Sequence, residues 1–277
     1  MSLICSNFEK VFWIDSDAFL LQNASTIMNK TEDGTLFWHD IWKIEEESPI
    51  WSIINMSTPI RGYSQESGIV YIDKSMNWRS LYVVGYMNNN QPIYYSLLFG
   101  DKDTFFLSFG YMKKPYTFVP HSPFLAGKRC GDLSNCPLSE ERKNQSVGYS
   151  FVQLDMDGRA FCVHLVSGKK RVFSYLEQNK KPFDIVLPID PNWSHFTGIG
   201  SSSLVVTLDA TQTTRIPDIS AAYAFGPFEE QLKASFEEAK HVLSRGPSVR
   251  NLMLLFFFEI IFWGAIFYLF DIMPKRH

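Results

Sequence analysis

The most constraining feature of the sequence is an apolar run, residues 11–14 (VFWI), that is followed at once by two carboxylates, Asp15 and Asp17. Such a run predicts a buried strand, and buried parallel strands leave the polar residues that follow them in the crevice beyond their carboxyl ends. Two close carboxylates supply the oxygen ligands that Mg²⁺ or Mn²⁺ prefers, and such a cation suits the diphosphate of an activated substrate. The sequence therefore predicts a metal site at Asp15 and Asp17.

The Asp-x-Asp spacing by itself is a weak signal for a metal site. It recurs at residues 101–103 and 155–157, and the second of these pairs runs into Gly158, which is typical of an ordinary turn. Only the pair at Asp15 and Asp17 follows an apolar strand directly. The alternative for that pair is a solvated turn.

The composition bounds the fold and the classes of partner. A chain of 277 residues with 45% hydrophobic content is long enough for one α/β domain with appendages. The net charge of -3 provides no basic field, which argues against nucleic acid as a partner. The aromatic content of 16% suits a sugar-binding cleft, but core packing and the Phe-rich C-terminus explain it equally well.

Three further segments place polar residues beside predicted strands. In residues 35–40 (TLFWHD), Asp40 either approaches the same cleft or pairs with its neighbour His39. In residues 65–74 (QESGIVYIDK), Gly68 lacks a side chain at the start of a β-branched strand and so permits close approach of the backbone to a ligand. Residues 151–164 predict a hairpin that ends at His164, which is either a structural residue or the residue that closes a metal-diphosphate site.

Two further segments raise the question of whether their side chains are buried or exposed. The spacing of Trp78, Leu81 and Tyr82 predicts a helix over residues 78–86 whose aromatic side chains belong to the core. In residues 101–103 (DKD), the acids around Lys102 form either an exposed ion-pair cluster of little energetic value or a group that grips a donor sugar and stabilises a departing phosphate.

The C-terminal part of the chain predicts two helices of different character. Residues 252–270 are apolar throughout except for Glu259, and their length predicts a transmembrane anchor over 251–271; the alternative is a helix buried in the protein. Residues 227–245 predict an amphipathic helix that packs on the domain or lies on a membrane. Cys130 and Cys136 bracket a short loop that a disulfide could close, which would point to a lumenal domain.

Five blocks of the sequence, taken in order, resemble the fungal-type alpha-mannosyltransferases of glycosyltransferase family 71. They are VFWIDSDAFLL at 11–21, FWHD at 37–40, QESGIVYIDK at 65–74, GDKDTF at 100–105, and the Gln, Asp-Gly and His-to-Lys elements of 153–169. The resemblance covers about residues 8–175. Together with the C-terminal predictions above, it divides the chain into a transferase domain at 1–175, an extension at 176–250 with the amphipathic helix, and the anchor at 251–271, although members of this family usually carry an N-terminal anchor.

The resemblance implies a GT-A fold, in which a mixed sheet is flanked by helices, a GDP-mannose donor, a glycan acceptor and a Mn²⁺ cofactor. It also implies retention of the α configuration and residence in the Golgi membrane with a lumenal catalytic domain. It assigns roles to individual residues as follows: metal binding to Asp15, Asp17 and His164; catalysis to Glu66, Asp101, Lys102 and Asp103; donor or acceptor binding to Trp38, Asp40, Ser67, Gly68 and Lys169.

One departure from the family pattern concerns the N-terminus. Transferases of this fold ordinarily carry a nucleotide-binding portion before the acidic motif, whereas only fourteen residues precede Asp15 in this sequence. The fold is therefore expected to be incomplete at the N-terminus. The alternative to an active enzyme is a catalytically inactive, membrane-bound remnant that binds a glycan or a protein partner.

Overall fold

The computed structural model describes residues 2–42, 44–56, 64–129 and 146–166, with short stretches and single positions between 172 and 237. The helices are α1 (Ser2–Cys5), α2 (Ser25–Met28), α3 (Ile50–Ile53), α4 (Lys74–Asn89), α5 (Gln91–Tyr94) and α6 (Thr104–Tyr111). The strands are β1 (Lys10–Ile14), β2 (Ala18–Leu20), β3 (Thr35–His39), β4 (Gln65–Asp73), β5 (Phe124–Arg129), β6 (Ser146–Leu154), β7 (Ala160–His164), β8 (Ile185–Pro188), β9 (Phe196–Gly198) and β10 (Leu204–Val206). The architecture is therefore mixed α/β.

The strands form two sheets with antiparallel pairing. The smaller sheet has the order β1-β4-β3, and the larger sheet has the order β2-β7-β6-β10-β9, with β5 joining β6 and β8. The parallel pairing that the apolar run 11–14 predicted is wrong, because β1 pairs antiparallel with β4, with Ile14 opposite Ile69. Strands rich in apolar residues on both faces need cover on both faces, and an antiparallel sheet between two layers provides it as well as a parallel sheet does.

The small sheet is packed on both faces, and alternate residues of its strands divide between two cores. On β4, Val70 and Ile72 belong to a cluster with residues of α4 and α6, including Leu81 and Phe106. The intervening residues of β4 pack in a second cluster against the large sheet, where Phe161 of β7 is fully buried. Side chains of successive strand residues point to opposite faces of a sheet. A strand that is covered on both faces therefore needs apolar residues at successive positions.

The hairpin predicted over residues 151–164 is confirmed. Strands β6 and β7 pair antiparallel, with Phe151 opposite His164, and the turn between them contains Gly158 with a φ of +79°. The side chain of Asp155 accepts hydrogen bonds from the backbone N–H groups of Asp157 (2.9 Å) and Arg159 (2.8 Å). This pair of acids therefore builds a turn, as its position before a glycine indicated.

The helix predicted over residues 78–86 is confirmed as part of α4, but the predicted burial of its aromatic side chains is wrong. The side chains of Trp78 and Tyr82 are 54% and 74% exposed, whereas Leu81 and Val84 are buried against the small sheet. Asp73 caps the N-terminus of the helix, because its carboxylate accepts from the backbone N–H of Ser75 at 3.1 Å.

The predictions for the C-terminal segments lie largely outside the described residues. This holds for the transmembrane segment 251–271, for the amphipathic helix 227–245 apart from two isolated positions, and for the pair Cys130 and Cys136. Among the helices that the structure describes, none combines the length and the apolar character that a membrane crossing requires.

Candidate functional site

The chain passes from the small sheet to the large sheet through the acidic turn at residues 15–17. The backbone N–H of Asp15 donates to the carbonyl of Gly68 in the small sheet at 2.9 Å. The carbonyl of Asp17 accepts from the backbone N–H of Leu165, directly after β7 of the large sheet, also at 2.9 Å. Each carboxylate is therefore fixed by the backbone to a different sheet.

The three side chains assigned to the metal lie together at this junction. Asp15, Asp17 and His164 each offer one ligand atom, and these atoms all lie within 4.8 Å of one another. The Nε2 atom of His164 is 3.3 Å from Oδ1 of Asp17. The indole N–H of Trp13 donates to Oδ1 of Asp15 at 3.0 Å, which fixes the orientation of that carboxylate.

Glu66 lies on the other side of the His164 ring. Its Oε1 atom is 3.5 Å from Nδ1 of His164 and accepts a hydrogen bond from the backbone N–H of Gly68 at 2.7 Å. The resemblance to glycosyltransferase family 71 assigns Glu66 to catalysis, and its contact with the histidine has no signal in the sequence. The imidazole is thus held between two carboxylates, one from the turn and one from β4.

The electrostatics of the cluster follow from burial and from this arrangement of charges. Burial alone disfavours a charged imidazole, but the negative charge of Glu66 and the contact with Asp17 outweigh it and raise the pKa of His164 to about 10. Burial would raise the pKa of Glu66, but the charge of His164 and backbone N–H donors lower it. Burial raises the pKa of Asp15, and the charge of His164 offsets only part of that effect.

Gly68 is required for the close approach of His164. A Cβ atom at this position would lie 2.5 Å from Cε1 and 2.6 Å from Nδ1 of the His164 ring. From the sequence, Gly68 is expected to admit a ligand close to the backbone. In the structure, the group that occupies this space is the imidazole itself.

We therefore expect Gly68→Ala to displace the His164 ring and to reduce the free energy of unfolding by about 1–3 kcal/mol, the usual cost of forcing extra volume into a packed site. Urea denaturation measures this cost. In a His164→Ala background the two closest contacts are absent and the 3.1 Å approach to Oε1 of Glu66 remains, so the same substitution should cost less than it does in the wild type. Equal costs in the two backgrounds would show that the contact with His164 is not the cause.

The donor set at the junction fits a divalent cation of the Mn²⁺ type. Two carboxylates and one imidazole match the oxygen and nitrogen ligands that such an ion accepts. Histidine ligands commonly donate their second ring N–H to a carboxylate, which is the position that Glu66 occupies relative to Nδ1. A bound cation requires neutral imidazole, so it would take the place of the proton that the two carboxylates hold on the ring.

A second polar cluster lies at the ends of β3 and β4. Lys102 is in contact with Oδ2 of Asp40, and their side chains are only 14% and 5% exposed. The Nζ atom is also 3.4 Å from Oγ of Ser64, a residue that the sequence analysis did not single out. Burial lowers the pKa of Lys102 to about 8, although Asp103 offsets part of the effect.

This cluster decides between alternatives that the sequence left open. An exposed ion pair at Lys102 is contradicted, because both partners are buried and because the partner is Asp40 rather than a neighbour in the sequence. The ring of His39 stacks on Phe118, with the centroids 4.4 Å apart, and the carboxylate of Asp40 contacts Lys102.

The remaining residues assigned from the resemblance lie in different surroundings. Asp101 is exposed, and Asp103 is fully buried, where it accepts from the backbone N–H of Phe99 at 3.0 Å. Ser67 is half-buried next to Glu66. The ring of Trp38 is fully buried and its indole N–H donates to the carbonyl of Leu154 at 2.8 Å, so the structure does not bring it to the surface of the site. Lys169 lies outside the described residues.

A model of a known protein family matches part of the chain. Residues 51–155 match the family model Mannosyl_trans3, whose description reads "Mannosyltransferase putative". The matched range contains Glu66, Gly68 and Lys102, whereas the acidic turn and His164 lie on either side of it. A search of curated proteins found no match to this chain. The family match supports a transferase of the mannosyltransferase type.

Proposed function

We propose that this chain transfers mannose from GDP-mannose to a glycan acceptor, with a cation such as Mn²⁺ and with retention of the α configuration, as the resemblance to glycosyltransferase family 71 implies. The observation that carries the proposal is the convergence of Asp15, Asp17 and His164 within 4.8 Å. It occurs in a chain whose residues 51–155 match a mannosyltransferase family. A solvated turn would not need a buried histidine between two carboxylates.

The residues of the junction have separate roles in this proposal. Asp15, Asp17 and His164 hold the cation, which, when bound, neutralises the charge that develops on the departing diphosphate. Glu66, whose Oε1 lies 3.5 Å from Nδ1 of His164, faces the ring from the side opposite Asp17 and would hold Nε2 toward the cation. Trp13 and the backbone bonds of the turn keep the carboxylates in position before any ligand arrives.

Lys102 supplies a positive charge in addition to that of the proposed cation, at the edge of the small sheet where β3 ends and β4 begins. Asp40 follows β3 and Ser64 precedes β4, and the two are joined by a hydrogen bond from Asp40 N–H to the Ser64 carbonyl at 2.8 Å. A cation with little solvent around it acts more strongly on a nearby phosphate than an exposed one does. Lys102 therefore attracts the donor diphosphate, while Asp40 fixes the position of the ammonium group.

Titration calorimetry with GDP-mannose tests this function on the full chain. We expect binding that requires Mn²⁺, is lost when EDTA is added, and is stronger than binding of GDP-glucose, which differs from the proposed donor only in the sugar. Incubation with a mannoside acceptor should give an α-linked product, identified by NMR. Equal binding of the two donors without Mn²⁺, and no product, would overturn the proposal and favour the catalytically inactive glycan- or partner-binding protein.

A further inference from the structure

Two exposed aromatic rings lie at the border of the Lys102 cluster. Trp42 is 42% exposed and Phe99 is 53% exposed, and their ring centroids are 6.1 Å apart with an angle of 33° between the planes. A large aromatic ring that is exposed to water does not gain the free energy of burial. A pair of such rings side by side therefore marks a surface that a ligand could cover.

The backbone attaches both rings to the polar cluster. The backbone N–H of Ser64 donates to the carbonyl of Trp42 at 2.7 Å, and the Phe99 N–H donates to the buried carboxylate of Asp103. The Nζ atom of Lys102 lies 5.1 Å from the centroid of the Phe99 ring. The ammonium group has three donors and contacts Asp40 and Ser64, which leaves one donor for a ligand hydroxyl.

The aromatic pair is also close to the candidate metal site. Ser64, which contacts both Lys102 and Trp42, lies two positions before Glu66 in nearly extended chain, a distance of about 7 Å. Glu66 in turn contacts His164. A sugar on the rings would therefore lie beside the position where the donor diphosphate is expected.

We propose that Trp42 and Phe99 form a stacking platform for a hexose of the acceptor glycan, an α-mannoside. This inference rests on the proposed function for the identity of the sugar. The apolar C–H face of a pyranose packs on aromatic rings, while its hydroxyls need polar partners at the rim, which Lys102 provides. The exposed rings of α4, such as Trp78, are further exposed aromatic side chains, but no described contact joins Trp78 to Lys102, Asp40 or Ser64.

Direct binding of an α-linked mannobiose, followed by NMR titration without donor or Mn²⁺, tests the platform. We expect Trp42→Ala and Phe99→Ala each to weaken mannobiose binding, and to raise the acceptor KM, by about tenfold, the equivalent of 1.4 kcal/mol. Trp42→Phe should retain most of the binding, because an aromatic face remains. Trp78→Ala is the matched control, since it removes an equally exposed ring and should change neither value.

The outcomes separate this inference from the proposed function. Binding of mannobiose that depends on Trp42, together with no binding of GDP-mannose, would support the platform and overturn the transferase function. Binding of GDP-mannose with Mn²⁺, together with wild-type mannobiose affinity in both alanine variants, would overturn the platform alone. Absence of mannobiose binding to the folded wild-type chain at millimolar concentration would also overturn the platform.

Discussion

Asp17→Asn should lower the affinity for Mn²⁺ by about 100-fold or more and abolish mannose transfer, because one of three charged or basic ligands is replaced by a weak one. The fold should tolerate the change. The asparagine keeps the backbone bond from Leu165 to the carbonyl of residue 17, and the carboxylate of Glu66 remains beside the His164 ring. Calorimetry with Mn²⁺ measures the affinity, and thermal unfolding of the same samples shows whether the fold is retained.

The chain offers a matched control for this substitution. Asp157 belongs to an Asp-x-Asp pair with the same spacing, but it is exposed and forms an ion pair with Lys30 at 2.6 Å. Asp157→Asn removes the same charge at a turn and should leave Mn²⁺ affinity and transfer unchanged. An Mn²⁺ affinity of the Asp17→Asn variant equal to that of the wild type would show that Asp17 is not a metal ligand.

Lys102→Met should lower the free energy of unfolding by about 3–5 kcal/mol at pH 7, where the lysine is charged. Removal of one partner from a buried ion pair leaves the other charge without compensation, and that is costly. Oδ2 of Asp40 would lose its contact with the ammonium group, while Oδ1 would keep the hydrogen bond from the Ile41 N–H at 2.6 Å. Urea denaturation measures the change.

An exposed pair provides the comparison for Lys102. Lys30 pairs with Asp157 at 2.6 Å, and both side chains are more than one-third exposed, so Lys30→Met should cost no more than about 1 kcal/mol. Adding Asp40→Asn to Lys102→Met should recover part of the loss, because it removes the buried charge. A cost for Lys102→Met no larger than that for Lys30→Met would show that burial of the pair has no energetic consequence.

The strands could be predicted from the sequence because their signals are local. The apolar run before Asp15, the β-branched residues after Gly68 and the glycine turn at Gly158 each depend on residues within a few positions. Strand direction could not be predicted in this way, since a run that is apolar on both faces fits either parallel or antiparallel pairing provided that both faces are covered. In the structure, β1 pairs antiparallel with β4.

The candidate site shows the same division between local and long-range information. Helical spacing identified a face on α4, but it could not tell which face packs, so Trp78 and Tyr82 were expected in the core where Leu81 lies. The partner of Lys102 is Asp40, 62 residues earlier in the chain, and no pattern in the sequence joins them. The resemblance, rather than spacing, brought His164 together with the acidic turn.

The junction of the two sheets gives the site a mechanical character. Asp15 is bonded to the small sheet through Gly68, whereas Asp17 and His164 belong to the edge of the large sheet, with Leu165 as the next link. Sliding of one sheet over the other would change the separation of Asp15 from His164 more than any rotamer change within either sheet. An ion held by all three would cross-link the two sheets. The distances between the three ligands therefore depend on how the two sheets are aligned.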